Sequence, residues 1–372
     1  MPTHSLFFII IFIPSVVAGA SPEMLAIEKQ IESAFGTVER NAEGIITGID
    51  LARDRSSATD DVLKAALSIP NMKRFRFAGG NVTAESLSGL KRQRDLEELY
   101  LQDVPIRDSD WKPLLDGHSK LIRLSLRRLP NLTGSELATL PRRLPALRNL
   151  ALIEMELTGA SLTEISKSEV LAALDIRQCG RLSAEDYVCL RSMPKLADLK
   201  IGGFGITDEV LAVIAPIRSL RGLTIDDAMI TSEGFDKFAM ECASADTLET
   251  LVFSRNMPLF DDALLPLKKF TKLKRLTING MMVTGRFLER LAEDDATRPK
   301  LQRLSLRKTF LTAEGIAALK KYPELRILDL SGVTLSEAAL KILLSLDHID
   351  ELDVTDCGLD EETLQRIKQK PL

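Results

Sequence analysis

The sequence predicts an α/β solenoid, with about thirteen parallel strands on a concave side and helices on a convex side. Two observations predict it. The pattern LxxLxL recurs along most of the 372 residues, with successive starts 24 to 28 residues apart. Each recurrence is followed by a helix-start signal and an apolar stripe at helical spacing. Composition agrees: 45% hydrophobic and 27% charged residues, with 21 Gly and 16 Pro, suit a packed chain rather than a disordered or fibrous one.

The N-terminal stretch comes first. Leu6 to Ile13 form an uninterrupted apolar run, Pro14 and Ser15 break it, and Ala18-Gly19-Ala20 supplies small residues before a cleavage point. Residues 1–20 therefore read as a secretory signal peptide, although the run follows His4 and no Lys or Arg. The run is too short for a membrane-spanning helix of ~18–20 residues. The expectation is a mature chain starting at Ser21, with no stable membrane span, secreted or held in the periplasm or cell envelope. An uncleaved anchor is the alternative. Residues 21–44 read as a capping helix. Ser21-Pro22-Glu23 opens it, and Met24, Ile27, Ile31, Ala34, Phe35 and Val38 recur at helical spacing.

Residues 45–372 carry the repeats. A degenerate unit begins at Ile46 (ITGIDL), and MKRFRF follows from Met72 and LEELYL from Leu96. LIRLSL, LRNLAL, LAALDI, LADLKI, LRGLTI and LETLVF start at Leu121, Leu147, Leu171, Leu196, Leu220 and Leu248. LKRLTI, LQRLSL, LRILDL and IDELDV complete the series from Leu273, Leu301, Leu325 and Ile349. Counting from the first residue of each pattern, positions 1, 4 and 6 point inward from a short strand, and 3, 5 and 7 face the other way. Position 11 or 12 is apolar again, as at Ile206, Ile230 and Leu335. Thr207-Asp208-Glu209 and Thr312-Ala313-Glu314 then supply a cap and a first-turn acid for a helix. A single unit cannot bury such a core, and a stack buries it continuously.

These units resemble the leucine-rich repeat superfamily, in the ribonuclease-inhibitor-like or cysteine-containing style that carries an α-helix in every repeat. ITDEVL at Ile206 to Leu211 is typical of that style. The resemblance covers about residues 46–369 and implies a horseshoe solenoid that binds proteins. The same style occurs in substrate-recognition subunits of ubiquitin ligases. Here the 25 residues between Ala20 and Ile46 leave no room for an F-box-like domain, and a leader contradicts a cytosolic ligase.

Candidate chemistry is sparse. Cys179 and Cys357 occupy position 9, where this style of repeat takes a buried Asn, Cys or small residue, while Cys189 and Cys242 fall in helical halves. A Cys179–Cys189 disulfide after export stands against buried thiols acting as small hydrophobes. No CxxC exists, so zinc and redox chemistry lack their minimum spacing. His118 and His348 precede strands and read as solvent-exposed turn residues with no nucleophile beside them. Gly79-Gly80 and Gly202-Gly203 read as strand-end turns. Asn81-Val82-Thr83 and Asn131-Leu132-Thr133 match glycosylation sequons. The sequence calls for no catalytic residue, no metal and no cofactor.

Charge on the strand faces says more. With 49 basic and 53 acidic side chains the net charge is −4, which gives no reason to expect nucleic acid. The strand face is also poor in aromatics beyond Tyr100, so base stacking has little to work with. Arg123, Arg127, Arg128 and Arg148 cluster at strand-exposed positions, as do Lys274, Arg275, Arg303, Arg307 and Lys308. Acidic residues gather at Asp226-Asp227 and at Asp350, Glu351, Asp353 and Asp356. The expectation is an exported, non-enzymatic repeat protein that holds a protein partner, with an acidic stretch, on its concave sheet. The alternative is a cytosolic ubiquitin-ligase adaptor, and a solvated charge mosaic is the plainer account of the basic residues.

Overall fold

Each LxxLxL unit becomes one strand of a single sheet. The computed structural model describes residues 21–52, 56–79, 81–256 and 259–368; the expected leader, residues 1–20, lies outside the described residues. The strands are β1 (Thr37–Arg40), β2 (Ile46–Leu51), β3 (Arg74–Ala78), β4 (Glu98–Gln102), β5 (Arg123–Arg127), β6 (Asn149–Ile153) and β7 (Ala173–Asp175). They continue as β8 (Asp198–Gly202), β9 (Gly222–Asp226), β10 (Thr250–Ser254), β11 (Arg275–Asn279), β12 (Arg303–Ser305), β13 (Ile327–Asp329) and β14 (Glu351–Asp353). All fourteen lie in chain order, and from β2 onward every pairing is parallel. That is the expected architecture.

Register keeps like on like. Leu328 pairs with Leu304 on one side and Leu352 on the other, so position 4 stacks on position 4. In the unit of β5, Leu121, just before the strand, and Leu124 and Leu126 within it are buried, while Arg123, Ser125 and Arg127 alternate outward. A parallel sheet usually carries helices on both faces. Here every connection returns on the same side, so one face stays open, and strict alternation replaces a continuous apolar run.

Position 8 turns the chain off the sheet. Asp103, Arg128, Glu154, Gln178, Asp227, Arg255, Lys308 and Asp356 all adopt left-handed backbone with φ between 49° and 60°, and Gly203, Gly280 and Gly332 fill the same place elsewhere. Few non-glycine residues take this conformation. It persists because the position-8 N–H donates to the position-7 carbonyl of the next unit, as from Arg128 to Ile153 at 3.2 Å and from Arg255 to Asn279 at 2.9 Å. The ladder thus runs one residue beyond the strands. Position 9 then turns inward: Cys179 Sγ donates to the Leu152 carbonyl and Cys357 Sγ to the Leu330 carbonyl, both at 3.1 Å. Asn256 does the same work with Nδ2 to the Ile225 carbonyl at 2.9 Å, and its Oδ1 accepts from the Ala228 N–H. All four cysteines are free thiols.

The helical halves are tied by carboxylates. Asp208, in the first turn of helix Asp208–Ile214, accepts from the N–H and hydroxyl of Thr231, which caps the next helix. Asp60 holds Thr83 and Asp108 holds Thr133 in the same way, and Asp261 holds Thr284. The Thr of each apparent sequon is therefore an inter-repeat clamp residue, which explains its place without glycosylation.

Two expectations are corrected. The N-terminal cap is a helix, α1 (Pro22–Ser33), followed by the antiparallel strand β1 rather than a helix running to Val38. Phe35 breaks the helix with φ 60° and stays exposed, and Val38 joins the sheet edge. His118 is also not a solvent-exposed turn residue. It is 1% exposed, because the place three residues before each LxxLxL is buried in unit after unit, as at Gln93, Met193, Ile217, Phe270 and Tyr322. Its Nε2 lies 3.1 Å from the Leu90 carbonyl, and burial pulls the imidazole below its usual pKa. His348 is half-buried.

Candidate functional site

The open sheet face presents rows of position-3, -5 and -7 side chains about 4.8 Å apart from strand to strand. Most of the basic candidates on it are already matched. Arg123 pairs with Glu98, Arg127 reaches Glu154 at 2.7 Å, and Arg128 grips Asp103 at 2.7 Å. Lys274 lies 3.2 Å from Glu249, and Arg307 lies 3.8 Å from Asp329. The Arg128 guanidinium holds the Asp103 carboxyl below the usual carboxylate range.

Four candidates are not matched by acids. Arg148 and Arg303 are exposed and have no side-chain ion pair among the described residues, and Arg275 donates only to Thr250 Oγ1 at 2.9 Å. The register places Arg275 directly beside Arg303 on neighbouring strands. Lys308 is exposed at the left-handed turn of the same unit as Arg303. Arg275 on β11, Arg303 on β12, and Arg307 and Lys308 just past the end of β12 thus lie on two adjacent units; Arg123 is taken up by Glu98, and Arg127 and Arg128 belong to a separate, internally satisfied network.

That network forms a rim of ion pairs that single-residue reading did not reveal. Arg177 pairs with Asp175 in its own unit and with Asp226 two strands away, both at 2.8 Å. Arg255 grips Asp227, which also accepts from Gln178. Arg177, Gln178, Asp226, Asp227 and Arg255, together with Arg127 and Glu154, line a shallow cavity of about 530 Å³. Writing the units beneath one another exposes the signal: position 8 reads Asp103, Arg128, Glu154, with charges alternating along the rim.

A second depression, about 320 Å³, lies on the face of β3–β8. Its floor is small, made by Ser125, Ala151 and Ala173, and its walls are Tyr100 and Arg123 on one side and Asp198 and Lys200 on the other. The Arg76 guanidinium stacks 4.6 Å over the Tyr100 ring. Nothing in the sequence marks Ala151 or Ala173 as unusual, so only strand register reveals the depression. Among the described residues no group of His, Cys, Asp and Glu is placed to hold a metal ion, and no helix is long and apolar enough to cross a membrane.

No protein-family model matches the sequence, and no curated protein does. Solved structures do. The chain is similar to Rad7 in the yeast complex of Rad7 and Elc1, with a TM-score of 0.59 at 18% identity over 80% of this chain and 79% of that one. This chain folds as a leucine-rich-repeat solenoid. A second match is an internalin, inlF, from Listeria monocytogenes, with a TM-score of 0.44 at 15% identity over 93% of each chain. Identities this low speak to the fold alone.

Proposed function

We propose that this solenoid is an exported, non-enzymatic scaffold that holds a protein partner on its open sheet, with an acidic stretch of the partner set against Arg275 and Arg303. The observation that carries the reading is the direct pairing of those two arginines on β11 and β12 without a carboxylate between them. Like charges directly opposite one another weaken a sheet. An anionic ligand relieves that repulsion, and guanidinium groups bind carboxylates in forked geometry. The similar fold of Rad7, solved in complex with Elc1, supports a role in assembly. Export rests on the apolar run and Ala18-Gly19-Ala20.

Two measurements test the reading. Mass spectrometry of the native protein is expected to find an N-terminus at or within a few residues of Ser21; an intact Met1 or Pro2 on a cytosolic protein favours the adaptor alternative instead. Reversing Arg303 and Arg307 to Glu is expected to lower capture of a partner from the native extracellular fraction, and more so at low salt, where screening is weak. Reversing Lys320 and Lys321, in the helical half at Ala318–Lys321, is expected to do little. Equal effects from both pairs would reduce the patch to a solvated mosaic.

A further inference from the structure

We propose that the depression beside Tyr100 is a second binding site on the open sheet, and that it takes a planar aromatic side chain of the protein partner, stacked on the free face of the Tyr100 ring. The occupant rests on the reading of the chain as a protein scaffold. The site is an addition to that reading, since Tyr100 on β4 lies seven strands from Arg275 on β11.

Tyr100 is the one aromatic at the outward positions of the described strands. The sheet does not require a ring there, because the same position holds Thr224 on β9 and Thr277 on β11. Register sets Tyr100 between Arg76 on β3 and Ser125 on β5. The Arg76 guanidinium covers one face of the ring, 4.6 Å from its centroid, and is itself tied to Asp50 at 3.4 Å. The phenol hydroxyl donates to Gln102 Oε1, and Gln102 Nε2 donates to Asp103 Oδ2 at 2.8 Å. Arg128 grips Asp103 in turn. The ring is thus fixed at its tip and on one face before anything binds, which lowers the cost of ordering it. Its other face looks over Ser125, and ring–ring contacts among the described residues are confined to Phe235, Phe238, Phe253 and Phe270.

Small residues keep the space beside that face open. Ser125 and Ala151 follow Tyr100 along the position-5 row, and Ala173 leaves the floor low on β7. Asp175, next in the row, is drawn aside by Arg177, which donates to both of its carboxylate oxygens. Lys200 on β8 then closes the far wall. The resulting cavity of about 320 Å³ is at the small end for ligand pockets, which suits a side chain better than an extended cofactor. Spacing selects a ring. A flat group above Ser125 sits one strand spacing from Tyr100, about 4.8 Å. Offset-stacked rings have centroids about 4.5–7 Å apart, so the sheet itself supplies the stacking distance. Charge selects a neutral ring. A cation is the poorer occupant, because the Arg76 charge already lies against the opposite face of the same π system.

The test uses the full chain and N-acetyl-tryptophanamide, followed by saturation-transfer NMR. Saturable binding is expected. Tyr100→Leu is expected to weaken it at least about threefold, within the range for loss of one aromatic pair. Ala151→Leu, which fills the floor on the open face, is expected to abolish it, and Thr277→Leu on β11 to leave it unchanged. N-acetyl-leucinamide is expected to bind at least about threefold more weakly than the tryptophan analogue. A readout without substitutions is nitration by tetranitromethane. Tyr187 and Tyr322 are buried, so Tyr100 is the expected target in the native chain, and the probe is expected to slow its reaction. No binding, equal binding by the Tyr100→Leu variant or by the leucine analogue, or nitration indifferent to the probe overturns the proposal. Tighter binding of adenosine than of the tryptophan analogue overturns it in favour of a nucleobase. Probe binding absent while partner capture still depends on Arg303 and Arg307 sinks this site and leaves the sheet reading at β11 and β12 standing. Probe binding with capture that needs Tyr100 but ignores the two arginines does the reverse.

Discussion

Arg177 and Asp226 are 49 residues apart in sequence and two strands apart in the sheet, yet they meet at 2.8 Å across Gly202. The glycine permits it. A Cβ at residue 202 would lie 2.6 Å from the Asp226 carbonyl oxygen and 3.3 Å from Arg177 Cγ. Gly202→Ala is therefore expected to cost about 1–3 kcal/mol, the usual size of an overpacking penalty. Gly205→Ala, with nothing within 4 Å of its Cβ, is expected to stay within about 0.5 kcal/mol. Denaturant melts of the two variants decide this, and equal losses would mean that the crossing does not hold in solution.

Leu328 is fully buried between Leu304 and Leu352, so Leu328→Ala is expected to cost about 2–5 kcal/mol through lost burial and a cavity. Arg326, two residues earlier, is exposed but donates to the Pro323, Leu325 and His348 carbonyls. Its truncation is expected to cost about 1 kcal/mol or less, because these bonds and its ion pair with Asp350 at 3.7 Å are exposed to water. Similar losses for both would show that the strand has slipped by one residue, since a slip exchanges the faces.

His118 gives the fold an acid-side dependence. Burial lowers its pKa in the native state, so the unfolded chain takes up the proton first as pH falls. Its stabilising contribution is present above the ordinary histidine value of about 6.5 and is lost as pH drops from there toward the lowered native value. His118→Met, the residue found at the equivalent Met193, is expected to flatten that part of the stability-versus-pH curve. An unchanged slope between pH 7 and 5, measured by urea unfolding, would place His118 in solvent after all.

Cys179 acts on the alkaline side. Burial pushes its thiol up to about 11 from the usual value of 9.0, so stability is full below about pH 9 and falls as pH rises toward about 11. A thiol held protonated is a poor nucleophile. Alkylation of Cys179 by iodoacetamide at pH 8 is expected to be slow in the native protein and rapid after unfolding, as peptide mapping reads directly. Fast native labelling would mean that the bond from Sγ to the Leu152 carbonyl is not kept.

The repeat was legible in the sequence because one apolar pattern serves both purposes. It marks where each strand lies and, recurring every 24 to 28 residues, it says that strands stack in chain order. Ile46 was legible as the first parallel strand on that basis. β1 was not, since four residues reading TVER carry no repeat signal and gain their place only by pairing with β2. His118 was misread because a polar residue in a turn suggests solvent, whereas the register buries that place in most units. The candidate site was legible by half. Which residues face outward follows from alternation, and so Arg275, Arg303, Arg307 and Lys308 could be grouped. Which charges cancel depends on contacts 25 or more residues apart, such as Arg128 with Asp103, that only the stacked register supplies.

The central claim is that the open sheet, and not the helical side, holds a protein partner. A photo-crosslinking residue at Thr277, in the middle of β11, compared with one at Lys320 on the helical side, tests it in the native extracellular fraction. The expected result is a discrete protein adduct from residue 277 that disappears when Arg275 and Arg303 are reversed to Glu, with none from residue 320. Adducts from residue 320 alone, or an adduct at 277 indifferent to the two arginines, would contradict it.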